Sequence, residues 1–222
     1  ENKLGGLALL RNLRNMAEAK VDESLVVQGL ARMKTERVLP FRFIAAARYA
    51  PQWESELEKV MLRSMEGNAR LRGKTVLLVD VSGSMDAPLS SRSEMRRNDA
   101  AYGLAVLLRE IAEKVSIYSF SDNLVRVPNR SGFALRDALN SSQPHSGTYL
   151  GKAIGELDES YDRLIVLTDE QSADAVPNPK ALGYMINVAS YQNGVGYGRW
   201  THIDGWSESV IEYIRAAEPV LQ

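Results

Sequence analysis

The sequence predicts an α/β protein: a doubly wound, mostly parallel sheet with one antiparallel edge strand, preceded by an all-α helical segment. Three observations carry this. Up to residue 72, apolar residues recur only at helical spacing. From Thr75 onward, short apolar runs alternate with helical patterns. The runs Val76-Leu77-Leu78-Val79 and Leu164-Ile165-Val166-Leu167 are continuously apolar, as in strands of a sheet covered on both faces.

In the first segment, Leu4 through Ala17 forms one amphipathic helix. Asp22-Glu23-Ser24 opens a second, with acids in its first turn and Leu25, Val26, Leu30 and Met33 along it. Pro40 begins a third, with Phe41, Ile44, Ala45 and Tyr49 on one face. Pro51 stops it or starts the next, which carries Trp53, Leu57, Val60, Met61 and Met65. Gly67-Asn68 marks a break before Arg70-Leu71-Arg72-Gly73, which places the domain boundary between residues 72 and 73. Paired helices of this kind suit a helical repeat array, although no fixed period is visible.

In the second segment, 73–222, strands are expected at 75–80, 115–120, 124–127, 163–168, 183–189 and 199–203. Helices are expected at 94–113, 133–140, 149–159 and 207–217. In the first of these, Ala101, Leu104, Ala105, Leu108 and Ile111 make one apolar face. Ser121-Asp122-Asn123 reads as a hairpin turn, which supplies the antiparallel edge strand.

Composition bounds the function. With 45% hydrophobic and 25% charged residues, the 222-residue chain is ordinary for a globular protein. No apolar run approaches the roughly 20 residues that span a bilayer, and no secretory leader is expected. The first residue is Glu1, not Met, so the chain reads as a trimmed piece. There is no cysteine, hence no disulfide, thiolate site or cysteine nucleophile, and a cytoplasmic location is expected. The net charge of −1 divides unevenly, +4 over residues 1–72 and −5 over 73–222.

The informative motif is Asp80-Val81-Ser82-Gly83-Ser84, directly after an apolar strand. Three oxygen side chains in five residues suit a hard cation. In open α/β sheets, ligands bind outside the carboxyl ends of the strands. Asp169 ends another strand, and Ser146-Gly147-Thr148 precedes a helix on the same rim. Asp80, Ser82, Ser84, Thr148 and Asp169 are therefore the candidate ligands. Two carboxylates with hydroxyls and retained water favour Mg²⁺ over Ca²⁺, with one position open to a partner's carboxylate.

Asp80-Val81-Ser82-Gly83-Ser84-Met85, Ser146-Gly147-Thr148-Tyr149-Leu150-Gly151-Lys152-Ala153 and Leu167-Thr168-Asp169 resemble, in order, the three segments of the metal-ion-dependent adhesion site of von Willebrand factor A domains. The resemblance implies that Asp80, Ser82, Ser84 and Thr148 ligate the metal and that Asp169 acts through water. It departs at Glu170, where many members have glycine. That extra acid is expected either to tighten cation binding or to deter an acidic partner.

Leu9-Leu10-Arg11-Asn12-Leu13-Arg14-Asn15-Met16 and Leu39-Pro40-Phe41-Arg42-Phe43-Ile44-Ala45-Ala46 resemble the last helical repeats of the TROVE module, the RNA-binding module of the Ro autoantigen family. The tail Ile203-Asp204-Gly205-Trp206-Ser207 resembles that family's end. The resemblance implies a ring of repeats closed by the A domain. It also implies noncatalytic binding of Y-type small RNAs and misfolded RNA, and work with an exoribonuclease in RNA quality control. On that resemblance, most of such a ring is expected before residue 1. The candidate RNA contacts are Arg11, Arg14, Lys34, Arg37, Arg42 and Arg48, with salt-dependent affinity. Phe41, Phe43 and Tyr49 sit at helical spacing and are expected in the core, not as stacking platforms. No DNA or membrane partner is expected.

Catalysis is not expected. An aspartyl phosphatase needs a second Asp where Ser82 stands, and no Gly-x-Ser-x-Gly elbow is present. The only histidines are His145 and His202. Gly194-Val195-Gly196-Tyr197-Gly198 lacks the Lys-Ser/Thr ending of a phosphate loop and reads as a plain loop. The competing reading is a metal-dependent protein-binding module with no RNA role.

Overall fold

The computed structural model describes residues 4–36, 38–91, 93, 95–189, 194–206 and 209–218. The chain divides into two units, Glu1–Asn68 and Ala69–Gln222.

Among the described residues, the first unit holds four α-helices: α1 (Gly6–Glu18), α2 (Glu23–Arg32), α3 (Pro40–Tyr49) and α4 (Glu54–Met65). Their starts follow from local chemistry. Asp22 caps α2, its carboxylate accepting from the Ser24 amide at 2.8 Å. Pro40 opens α3, where its missing N–H costs nothing. A short 3₁₀ turn, Pro51–Trp53, leads into α4. Leu13, Leu30, Phe43, Ile44, Leu57 and Met61 form the buried interior. Arg63 of α4 donates to the carbonyls of Ala31 (2.8 Å) and Met33 (3.1 Å), closing the end of α2.

The second unit is a six-stranded sheet: β1 (Leu71–Asp80), β2 (Ala112–Phe120), β3 (Leu124–Val127), β4 (Arg163–Thr168), β5 (Leu182–Asn187) and β6 (Thr201–Asp204). The order is β3-β2-β1-β4-β5-β6. All neighbouring pairs are parallel except β2–β3, the expected antiparallel hairpin. The helices are α5 (Arg97–Ile111), α6 (Gly132–Asn140), α7 (Leu150–Glu156) and α8 (Ser209–Ala217). β4 is buried along its whole length, and β1 from Thr75 onward. The apolar face predicted for α5 is buried, and so are Ala100, Tyr102, Val106 and Leu107 on its other sides. Leu150, Ala153 and Ile154 of α7 join Val76, Leu78, Leu164 and Val166 in one core cluster.

The expected boundary at 72/73 falls inside β1. Gly73 sits at φ 80° where the β1–β2 register shifts between Leu71 and Lys74. It is a bulge. A Cβ there would lie 2.6 Å from an Asp162 carboxylate oxygen, which explains the glycine.

The strand order reverses direction between β1 and β4, the switch point at which open α/β sheets leave a crevice. Among the described residues, no helix is long and apolar enough to cross a membrane.

Candidate metal centre and basic helical face

Asp80 is the last residue of β1, and Asp169 follows the last residue of β4. The β1–β4 register pairs Val79 with Leu167, so both acids leave the sheet at the switch point. Both are fully buried. Asp80 accepts from the Ser82 amide (Oδ1, 2.9 Å) and from the Thr168 hydroxyl (Oδ2, 2.7 Å). The Ser82 and Ser84 hydroxyl oxygens are 3.2 Å apart. Mg²⁺–oxygen bonds of about 2.1 Å put adjacent octahedral ligands about 3 Å apart. The serine pair therefore matches one edge of a Mg²⁺ shell.

Thr148 is in the loop before α7. That loop is tied to the motif by the Gly83 amide, which donates to the Ser146 carbonyl at 3.1 Å. Its other end is held by the Thr148 carbonyl, which accepts from the Ala173 amide at 2.8 Å. Ser121 secures the middle: its hydroxyl donates to the Gly147 carbonyl (2.8 Å) and accepts from the Ser146 amide (3.0 Å). Asp174 receives the first amides of α7, Gly151 (2.8 Å) and Lys152 (2.7 Å). Gly151 is required for this packing, since a Cβ would lie 2.0 Å from the Ala175 carbonyl oxygen.

Burial pushes the Asp80 carboxyl up to about 7, against the opposing hydrogen bonds from Ser82 and Thr168 and with a further push from the Asp169 charge. The charge of Asp169 thus works against ionised Asp80, an opposition that a bound cation would relieve. Among the described residues, no group of three or more His, Asp or Glu side chains forms a metal-holding cluster. The candidate set is two carboxylates with hydroxyls, a donor set for a hard ion.

Three residues around this set are not evident from sequence. The Thr168 hydroxyl orients Asp80. Arg97, the first residue of α5, places Nη1 2.6 Å from Asp169 Oδ2 and 3.2 Å from the Ser84 carbonyl oxygen. A basic residue in the first turn opposes the helix dipole, and that oddity was its one sequence signal. His202 of β6 meets Glu170 at 2.7 Å.

Glu170 occupies its glycine-like place literally, at φ 58°. Its side chain is buried and engaged with His202 and, at 3.4 Å, the Gly194 amide. His145 lies between Asp86 (3.1 Å) and the Asn140 carbonyl (3.0 Å). The glycine segment 194–198 is a loop, with positive φ at Gly194, Gly196 and Gly198.

In the helical unit, Arg11, Arg14, Lys34 and Arg48 are exposed and Arg42 is half-buried; Arg37 lies outside the described residues. Arg11 and Lys34 line one concavity beside the start of α1. Burial lowers the Arg42 guanidinium from its ordinary value, and the nearby charge of Arg11 lowers it further. Arg14 lies over the Tyr49 ring, 5.6 Å from its centroid, and pairs with Glu18 at 3.2 Å. Phe41 and Phe43 are buried, as expected of core residues.

No family model matches the sequence. No curated protein matches it. Among solved structures, the Ro (RSR) protein of Deinococcus radiodurans is similar at TM-score 0.67 and 17% identity, over 96% of this chain and 52% of that one. The chain has a Ro-like fold. It spans about half the length of that Ro protein. An aerotolerance-related membrane protein from Bacteroides fragilis NCTC 9343, solved with multiple mutations to serines, is similar at TM-score 0.38 and 16% identity, over 57% of this chain and 77% of that one. Within the Ro-like fold, Asp80 and Asp169 take the rim of the sheet unit, and Arg11, Arg14, Lys34, Arg42 and Arg48 belong to the helical unit.

Proposed function

We propose that this chain is part of a noncatalytic, cytoplasmic RNA-binding protein of the Ro type that also carries a divalent-cation site. The observation that supports this most is the Ro-like fold over 96% of the chain. The ligands are structured small RNAs of the Y type and the ends of misfolded noncoding RNA, in RNA quality control alongside an exoribonuclease. Arg11, Arg14, Lys34, Arg37, Arg42 and Arg48 supply phosphate contacts. Holding Arg11 close to Arg42 carries an electrostatic cost that bound phosphates offset.

Mg²⁺ is held by Asp80, Ser82, Ser84 and Thr148, with Asp169 acting at one remove. The cation supplies an open coordination position for an acidic group of a partner. This chain's own part is to fix the donors: Thr168 and the Ser82 amide aim Asp80, and Gly83 ties the motif to the Thr148 loop.

A second reading is a metal-dependent protein-binding module without an RNA role. It is favoured by Tyr149, 41% exposed beside Thr148, which offers an aromatic contact at the rim.

Crosslinking RNA to the protein expressed from its own gene, then sequencing the recovered RNA, tests the first reading. Enrichment of structured small RNAs supports it, and recovery of none leaves the protein-binding reading. Calorimetric titration of Mg²⁺ tests the cation site: no binding heat, with Asp80→Ala no different from the parent, would sink it.

A further inference from the structure

We propose that Arg97 is a tethered counter-ion of the cation site, holding Asp169 when no divalent cation is bound and competing with the cation for that carboxylate. The inference rests on the metal reading above and adds a residue that sets the site's affinity.

Four observations carry it. Arg97 Nη1 is 2.6 Å from Asp169 Oδ2, and the side chains are 10% and 0% exposed. This is a desolvated ion pair, not a surface contact. The same nitrogen is 3.2 Å from the carbonyl of Ser84, another candidate ligand. One guanidinium therefore spans two of the segments that build the site. Its delivery is fixed by the backbone: the Arg97 amide donates to the Ala87 carbonyl at 3.0 Å, and the Arg96 amide to Asp99 Oδ2 at 2.9 Å. Finally, Asp80 and Asp169 are both fully buried at the ends of the neighbouring strands β1 and β4.

The physical consequence follows from charge. Two buried carboxylates without a nearby cation are costly. Arg97 offsets one of them in the metal-free state, so the rim can fold without metal. A divalent ion entering beside Asp169 then meets a fixed positive charge a few ångströms away, and repulsion at that range in a poorly solvated site is strong. Affinity is lower than the donor set alone would give. Both contacts are made by the single nitrogen Nη1, so lysine, which keeps the charge, is the conservative replacement here.

The test is calorimetric titration of Mg²⁺ into the parent protein, Arg97→Met, Arg97→Lys and Asp80→Ala at pH 8. Arg97→Met should bind Mg²⁺ at least tenfold more tightly than the parent, and Arg97→Lys within about threefold of it. The metal-free melting temperature of Arg97→Met should fall and recover more on Mg²⁺ addition than the parent's rises. Parent-like or weaker Mg²⁺ binding by Arg97→Met overturns the inference while leaving the site intact. No Mg²⁺ binding by any variant overturns both the inference and the metal reading. Should Arg97→Met not fold, the parent protein with ¹⁵N-labelled arginine answers the question. The Arg97 Nε resonance, assigned by its loss in Arg97→Lys, should shift on Mg²⁺ titration. An Arg97 resonance indifferent to saturating Mg²⁺ overturns the competition.

Discussion

His202 and Glu170 are joined at 2.7 Å through Nδ1 and Oε1, and the other ring nitrogen lies 2.7 Å from the Gly196 carbonyl oxygen. A carbonyl can only accept, so Nε2 carries a hydrogen; a carboxylate also accepts, so Nδ1 carries another. The pair therefore favours the imidazolium over the neutral ring. It also answers what the acid in the glycine-like position does: Glu170 is spent on His202.

Burial works against this imidazolium, but the Gly196 and Glu170 hydrogen bonds and the Glu170 charge raise His202 above the ordinary value of 6.5. The stability it contributes is present in full below 6.5 and is lost as pH rises through the raised value. An NMR titration should find His202 above 6.5, and Glu170→Gln should bring it down. An unshifted His202 in the parent contradicts the pairing. Glu170→Gln should leave Mg²⁺ affinity within about twofold, as its side chain points to His202.

Asp80 gives the opposite kind of pH effect on the cation. Its carboxyl, raised to about 7 by burial, binds protons that Mg²⁺ must displace. Mg²⁺ affinity should rise with pH toward about 7 and level off above it. Without metal, the stability from a protonated Asp80 is full below 3.8 and is lost as pH rises through about 7. The melting-temperature gain from Mg²⁺ should therefore be larger at pH 8 than at pH 5.5, a comparison that differential scanning calorimetry makes directly. Equal gains at both pH values would count against Asp80 as a ligand.

Arg163 and Glu218 form the sheet unit's most buried ion pair among the described residues, at 1% and 2% exposure. The carboxylate accepts from Nε at 3.0 Å and also from Nη2, and Nη1 donates to the Thr75 hydroxyl at 2.9 Å. Glu218→Ala leaves a buried guanidinium uncompensated and should cost about 3–5 kcal/mol in urea unfolding. The double variant Arg163→Met/Glu218→Leu should cost less than Glu218→Ala alone. A loss under about 1 kcal/mol for Glu218→Ala would show that water reaches the pair.

Much of this was legible in the sequence. Continuous apolar runs located β1 and β4, and the acids at their ends, Asp80 and Asp169, mark the switch point. The Ser121-Asp122-Asn123 turn announced the antiparallel β3. What the sequence hid were pairings between distant elements. Arg97 to Asp169 and His202 to Glu170 leave no local periodicity, because each joins residues on different elements through side chains alone. The 72/73 boundary misses for a related reason: Leu71 belongs to β1 through its pairing with Ala112, a residue far along the chain. At Glu170 the sequence shows an acid but not its direction, which is toward His202.

The most direct test of the central claim is the salt dependence of RNA binding by the protein expressed from its own gene, using a structured small RNA. Affinity should fall steeply between about 50 and 200 mM salt. Replacing both Arg11 and Arg42 with Gln should weaken binding and flatten the slope by about 1 for each phosphate no longer neutralised. Binding that is equally tight across that salt range, or unchanged in the double variant, would contradict that claim.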